Sequence, residues 1–296
     1  MTLEQLRIFV AVAERGHMTR ASEALHLSQS AVSAAVAALE ARHATRLFDR
    51  VGRGLELSAA GRAFLPEAEA VLARAAAAER TLQDLAGLRR GSISIHASQT
   101  VASYWLPGRL VRFKAAHPEI ELRLAVGNTA QVARAIHDGS AELGFVEGAI
   151  YDPALATTPV GGDRLVIVTS GADPDPASDP VRLARSPWIL REPGSGTRSE
   201  LEDALRRLGV DPENLDVRLE LPSNEAVAAA VAGGGGLSAL SDLAVAAGLA
   251  AGSLRRLPID LAQRPFHAVT HRERLGGPAV AALLRLLAGV EKSAGS

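Results

Sequence analysis

Apolar positions in the first sixty residues recur at helical spacing in three short blocks. Leu3, Leu6, Phe9, Val10 and Ala13 share one face, Thr2 and Gln5 form a capping box, and Gly16 supplies a stop, which predicts a helix over 3–15. Thr19 reads as the N-cap of a second helix through Leu25, with Ala21 and Ala24 small enough for close packing. Ser28 caps a third, in which Val32, Val36 and Leu39 point inward and Gln29, Ser30 and Ser33 face the other way. The short turn between the last two makes a helix-turn-helix. Leu47, Phe48, Leu55 and Leu57 around Gly52 and Gly54 then predict a small β-hairpin, a wing. From Ser58 a helix runs toward Leu88, roughly 45 Å at the usual rise per residue. Its heptad seam of Leu65, Ala68, Leu72, Ala75 and Leu82 asks for a partner helix.

Beyond Gly91 the pattern changes to strands alternating with helices. Ile93, Ile95 and Ala97 alternate, a helix is expected over 103–116, and Ile120, Leu122, Leu124 and Val126 alternate again, a βαβ unit. Further strands are expected at 143–147, 165–169, 188–191, 217–221, 237–241 and 266–270, so this part of the chain is α/β.

Composition removes whole chemistries. The 296 residues contain no cysteine, which excludes disulfides, thiolate zinc sites, iron–sulfur clusters and a cysteine nucleophile. The opening Met-Thr-Leu-Glu-Gln-Leu lacks a basic region followed by an apolar run, and Gly233–Gly236 interrupts the most apolar stretch, so a cytoplasmic chain without a membrane span is expected. Net charge is −1, but residues 1–62 carry eight arginines against six acidic residues. That asymmetry is too mild to imply nucleic acid by itself.

The candidate chemistry of the first segment is groove reading. The N-terminal end of a second helix-turn-helix helix enters the major groove, and Gln29, Ser30 and Ser33 are the short polar residues that end would present. Arg50 and Arg53, at the base and tip of the wing, are placed for phosphate or the minor groove. Ordinary solvated first-turn residues and arginines are the competing explanation.

Thr19-Arg-Ala-Ser, Leu27-Ser-Gln-Ser-Ala-Val-Ser33, Ala38-Leu-Glu40, Leu47-Phe-Asp-Arg50 and Leu57-Ser-Ala-Ala-Gly61, in this order, resemble the LysR-type transcriptional regulators. The chain departs from the usual pattern at His43-Ala44, after the Leu-Glu helix end, and at Ala34 and Ala35, which shifts expected DNA affinity toward Arg20, Arg50 and Arg53. The resemblance implies an N-terminal all-α winged helix-turn-helix over 1–58, a linker and dimerisation helix over 59–90, and an α/β effector-binding domain over 91–296. The last would resemble a periplasmic binding protein with two Rossmann-like lobes, 91–161 with 267–296 and 162–266. Double-stranded DNA, a second copy (a dimer or the tetramer common in the family), a small-molecule effector and RNA polymerase are the implied partners.

Ligands of open α/β sheets bind beyond strand C-termini, where helices begin. Four such junctions carry short polar residues: Ser98-Gln99-Thr100, Asn128-Thr129, Glu192-Pro-Gly-Ser-Gly-Thr-Arg198 and Ser223-Asn224. The candidate effector residues are therefore Gln99, Thr100, Asn128, Glu147, Ser195, Gly196, Thr197, Arg198, Ser223 and Asn224. Plain helix capping is the rival explanation for Thr129, Thr197 and Ser223. An oxyanion or carboxylate suits hydroxyls, amides and helix N-termini, with no cofactor. Glu147 would repel it unless protonated or paired with an arginine such as Arg198, and otherwise serves to orient donors or to read an amine. Gly144-Phe-Val-Glu-Gly148 with Arg191–Arg198 resembles the family branch of sulfur-assimilation and carbon-fixation regulators, which implies sulfur oxyanions or phosphorylated metabolites.

No catalytic or metal site is expected. His267 and His271, on one strand, would lie roughly 13 Å apart as edge or solvent residues. Gly233–Gly236 lacks the Lys-Ser/Thr of a P-loop, and a Glu147–Glu192 carboxylate pair has no defined spacing. A free solute-binding protein and a DNA-binding protein with an enzymatic second domain are the alternatives.

Overall fold

Local capping sets the first helices. In the computed structural model, which describes residues 1–51, 54–85, 91–173, 179–274 and 276–291, helix α1 (Leu3–Arg15) starts at the Thr2/Gln5 capping box and stops at Gly16, φ 61°. Helix α2 (Met18–Leu25) begins earlier than its sequence suggests. His17 Nδ1 accepts the Thr19 N–H at 3.2 Å, so His17 is the cap and Thr19 lies inside the helix. Helix α3 (Gln29–His43) starts at Ser28, whose hydroxyl accepts the Ala31 N–H.

The wing is strand β1 (Phe48–Val51) paired antiparallel with β2 (Gly54–Leu57); Gly52 and Arg53 lie outside the described residues. Glu40 Oε1 accepts the N–H groups of Leu47 and Phe48 at 2.7 and 3.2 Å, and the Gly16 carbonyl accepts the Leu55 N–H at 2.9 Å, so the hairpin is pinned to α3 and α1. Phe9 packs between Phe48 and Phe64, with ring centroids 5.4 and 5.1 Å away.

Helix α4 (Ala59–Leu85) contributes fully buried Ala68 and partly buried Leu65 and Leu72 to this same core. Three of the five seam residues are thus covered by their own chain, while Leu82 on the seam and Val71 beside it are exposed. The expected helix end near Leu88 falls outside the described residues.

Met1–Gly87 belong to one compact unit, and Leu88–His137 with Ala141–Ser296 to the other. In the second, β3 (Ser92–Ser98) leads through a π-helical turn (Val101–Trp105) into α5 (Pro107–Ala116). The single helix expected over 103–116 is divided because Pro107 sits at the start of α5 and the Leu106 N–H reaches back to the Val101 carbonyl. Then follow β4 (Glu121–Gly127), α6 (Thr129–Asp138), β5 (Leu143–Val146), β6 (Leu155–Ser170), α7 (Pro180–Arg185), β7 (Pro187–Arg191) and α8 (Gly196–Arg207). The unit ends with β8 (Asp216–Leu221), α9 (Asn224–Ala232), β9 (Ser238–Ser241), α10 (Asp242–Ala250), β10 (Leu254–His271) and α11 (Pro278–Glu291).

Six strands form one sheet in the order β4-β3-β5-β10-β6-β9, and a Trp188–Leu237 bridge joins the parallel β7–β8 pair to it. Strands β6 and β10 are far longer than the 165–169 and 266–270 segments that alternation marks. They pair antiparallel from His271–Leu155 to Leu254–Ser170, running through two lobes. Where they cross, Gly161, Gly162, Asp163 and Pro265 break the alternation, and register shifts flank Asp260, Gln263 and His267. One lobe packs Ile93, Ile95, Trp105, Phe145, Phe266 and Leu283; the other packs Leu165, Ile167, Trp188 and Leu201 on one face and Val166, Val227 and Leu240 on the opposite one. His267 is therefore not an edge residue: it pairs with Val146 on β5 and Pro159 on β6, and burial lowers its pKa, while half-buried His271 pairs with Leu155 of β6 at the end of β10.

Two backbone positions in the first unit are testable. Ala44 ends α3 at φ 48°, a left-handed conformation that costs a residue with a Cβ about 1 kcal/mol or more. Ala44→Gly should raise the denaturant midpoint of this unit by an amount corresponding to about 1 kcal/mol. Gly61→Ala should lower it, since a Cβ there would stand 2.1 Å from the Leu47 carbonyl oxygen.

Candidate functional site

In the first unit, the start of α3 faces the wing across a concavity of about 900 Å³. Gln29 and Ser33 line it from α3, Arg50 from β1, and Arg46 from the segment before β1. Three residues expected to contact DNA, Gln29, Ser33 and Arg50, are thereby brought together, and Arg46, His17 and Thr19 join them. Ser30 and Arg20 are exposed but do not line this concavity; the Ser30 hydroxyl bonds that of Ser28 at 3.0 Å. Arg53 is outside the described residues. Arg46 was missed because an arginine three residues past a helix end has no local signature of function.

In the second unit all four strand-to-helix junctions converge between the lobes, in two polar networks. The first runs through Glu147, at the end of β5 and buried. Ser98 Oγ donates to one of its carboxylate oxygens and Thr197 Oγ1 to the other at 3.2 Å. Arg264 Nη1 donates to Thr197 Oγ1 at 3.2 Å, while its Nε and Nη2 hold Asp163 at 2.6 and 2.8 Å. Burial works against the Arg264 charge, but Asp163, Glu147 and Glu200 outweigh it and raise its pKa. Burial pushes the Glu200 carboxyl up.

The second network centres on Asn224, at the start of α9. Its backbone N–H donates to Gln99 Oε1 at 2.6 Å, its Nδ2 to Thr100 Oγ1 at 3.0 Å, and its Oδ1 accepts from Arg191 Nη1 at 2.6 Å. Arg191 also holds Glu192 through Nε and Nη2, and Glu192 accepts from Asn128 Nδ2 at 3.2 Å. Beside it Tyr104 donates to Glu225 Oε1 at 2.7 Å, and burial together with that carboxylate pushes the phenol up to about 12.

These contacts separate capping from the rest. Ser223 caps α9, its hydroxyl accepting the Ala226 N–H, and Asn128 exchanges bonds with Gln131 at the start of α6. Thr197 is not a cap: α8 begins at Gly196 after Ser195, which is buried and makes no side-chain cap bond. Thr129 is 7% exposed, and its hydroxyl is a buried group without a hydrogen-bond partner. It occupies the crevice where Gly148 and Gly196 meet; a Cβ on Gly196 would lie 2.5 Å from it.

One expectation is corrected. The arginine near Glu147 is Arg264, whereas Arg198 bonds Glu202, Glu220 and the Arg191 carbonyl. Glu147 and Glu192 belong to different networks, in keeping with the binding or structural roles expected of them rather than a carboxylate pair. Arg264 and Asp163 carry no local signal, since Thr197 and Glu147 lie far from them in sequence, and Arg191 enters the sequence reading only as the end of a motif because Asn224, 33 positions away, is what gives it a place in the network.

Residues 3–62 match the family model for the bacterial regulatory helix-turn-helix protein of the lysR family, and residues 86–291 match the LysR substrate binding domain. The chain is 37% identical over 279 residues to the uncharacterized HTH-type transcriptional regulator YeiE of Escherichia coli (strain K12), covering 93% of this chain and 92% of that protein. It is 34% identical over 274 residues to the HTH-type transcriptional regulator CfxR of Cupriavidus necator, covering 92% and 84%. The fold is similar to the crystal structure of CbnR, a LysR family transcriptional regulator, with TM-score 0.71, 21% identity and coverage of 98% and 99%. It is also similar to full-length CbnR complexed with target DNA, with TM-score 0.68, 22% identity and the same coverage. With both parts matched in order, the chain belongs to the LysR family of transcriptional regulators, a DNA-binding protein whose second domain senses a small-molecule effector.

Proposed function

We propose that this regulator acts in the cytoplasm as a homo-oligomer on an approximately palindromic site, and that its effector is a small anion held between the two lobes. The carrying observation is the Thr129 hydroxyl, buried without a partner at the point where the N-termini of α6 and α8 approach each other. The first N–H groups of α8 have no acceptor within the helix, and the helix dipole favours negative charge there. The hydroxyls of Ser98 and Thr197 complete the donor set, although both now point at Glu147.

Glu147 is thus an internal anion occupying donors that an external anion would share. Its charge opposes that ligand, since Arg264 is already engaged by Asp163. Glu147→Gln should therefore bind sulfate or phosphate at least tenfold more tightly than the parent, about 1.4 kcal/mol, in thermal unfolding or calorimetry. Loss of effector binding in that variant would favour an amine instead. The lobes, proposed as 91–161 with 267–296 and 162–266, transmit binding to DNA if the anion prefers one of their relative arrangements.

On the DNA side, Gln29, Ser33 and Arg50 in one concavity support base reading by α3 and phosphate contact by the wing. Arg50→Ala should weaken binding to specific and random duplexes alike and reduce the salt slope by about one unit, whereas Gln29→Ala should chiefly relax base preference.

Self-association is supported by two edge strands of the second unit that carry exposed apolar side chains, Leu124 and Val126 on β4 and Val217 and Leu219 on β8. Val126→Lys should shift the sedimentation profile toward smaller species; an unchanged profile would exclude that edge.

A further inference from the structure

We propose that the anion cleft continues into a second subsite for an uncharged, largely apolar body, so that the effector is an organic monoanion rather than a bare inorganic oxyanion. The inference rests on the anion reading above and adds the rest of the ligand to it.

Beside the crevice that holds the Thr129 hydroxyl lies a cavity of about 460 Å³, within the range of small-molecule sites. Thr129 lines it, and so does Ser195, the residue before α8, so the cavity and the anion cleft share a wall. Its apolar sides come from Ala130 and Ala133 on α6, Ile150 after β5 and Pro193 after β7. Ala130 and Ala133 present only methyl groups, which leaves the space open between α6 and α8.

The charges on the rim determine what the body can be. Arg198 is the rim's cation, and it is already bonded to Glu202 at 2.8 Å and to Glu220. Asp152 bonds His137 at 2.7 Å, and the Ala154 N–H, together with that histidine, holds its carboxyl below the usual range. A second negative group on the ligand would face Asp152 and Glu202 with Arg198 committed elsewhere, so one anionic head is accommodated and two are not. Tyr151, on the same rim, is 91% exposed. An aromatic ring left that open beside a cavity is placed to lie over an apolar ligand body.

The test uses the full chain and straight-chain carboxylates from acetate to octanoate, with sulfate as the tailless anion, in calorimetric or thermal-unfolding titrations. Affinity should rise roughly fourfold per added methylene until the cavity is filled, leaving sulfate well behind. Ala133→Phe narrows the cavity between α6 and α8 and should flatten the dependence on chain length. Tyr151→Ala, at a position too exposed to affect folding, should weaken octanoate severalfold. Carboxylates and sulfate binding with no dependence on chain length would overturn the tail subsite and leave the anion cleft standing. Failure of every anion to bind would overturn both. Chain-length dependence that survives Ala133→Phe and Tyr151→Ala alike would place the apolar body elsewhere and overturn this assignment.

Discussion

The antiparallel pairing of β6 with β10 is the constraint on which the effector domain depends. Both strands run through both lobes, so each lobe is completed by chain that began in the other. At the crossing the backbone must be slim: a Cβ on Gly161 would meet the Trp105 ring at 2.7 Å, and one on Gly162 the Arg264 carbonyl at 2.7 Å. The same short stretch carries Asp163 and Arg264, a buried bidentate pair. An isolated buried guanidinium would be untenable, and Asp163 on the neighbouring strand makes it stable. Because the free edge of that guanidinium reaches Thr197, the crossing and the proposed anion cleft meet in one side chain. In the proposed reading, a ligand that redirected Thr197 would alter what Arg264 holds and thereby bias the relation of the lobes.

The DNA-binding unit solves a different problem, presenting a short helix and a hairpin as one rigid surface. Glu40 on the inner side of α3 takes the first N–H groups of the wing, Gly16 receives Leu55, and the Ser58 hydroxyl bonds the Arg46 carbonyl at 2.7 Å. Glu40 ties the wing to α3, Gly16 ties it to α1, and the Ser58–Arg46 bond closes the base of the hairpin. Gln29, Ser33 and Arg50 consequently share one concavity although the first and last are 21 positions apart in the chain.

What was legible in the sequence is what local chemistry determines. Thr2, Gly16 and Ser28 set helix ends through bonds to residues within four positions, and each does so as its type suggests. Thr19 misled because His17, not ordinarily a capping residue, takes the N–H first. The strand-to-helix junctions were visible for the same local reason, yet their partners were not. Glu147 meets residues 98, 197 and 264, and Asn224 meets residues 99, 100 and 191, contacts distant in sequence that arise only in the folded domain, and of these only Glu147 with 197 and 264 and Asn224 with 99 and 100 run from one lobe to the other. The long strands were half hidden because glycine, aspartate and proline interrupt their alternation at the crossing, where close backbone approach outweighs strand propensity.

Anomalous diffraction from crystals of the full chain grown with selenate tests the central claim most directly, since selenium reports the position of a bound oxyanion without assumption. The predicted result is a peak between the lobes, within hydrogen-bond reach of the Thr129 and Thr197 hydroxyls and the first turn of α8. A selenate that stabilises the protein in solution but gives its peak outside that cleft would contradict it.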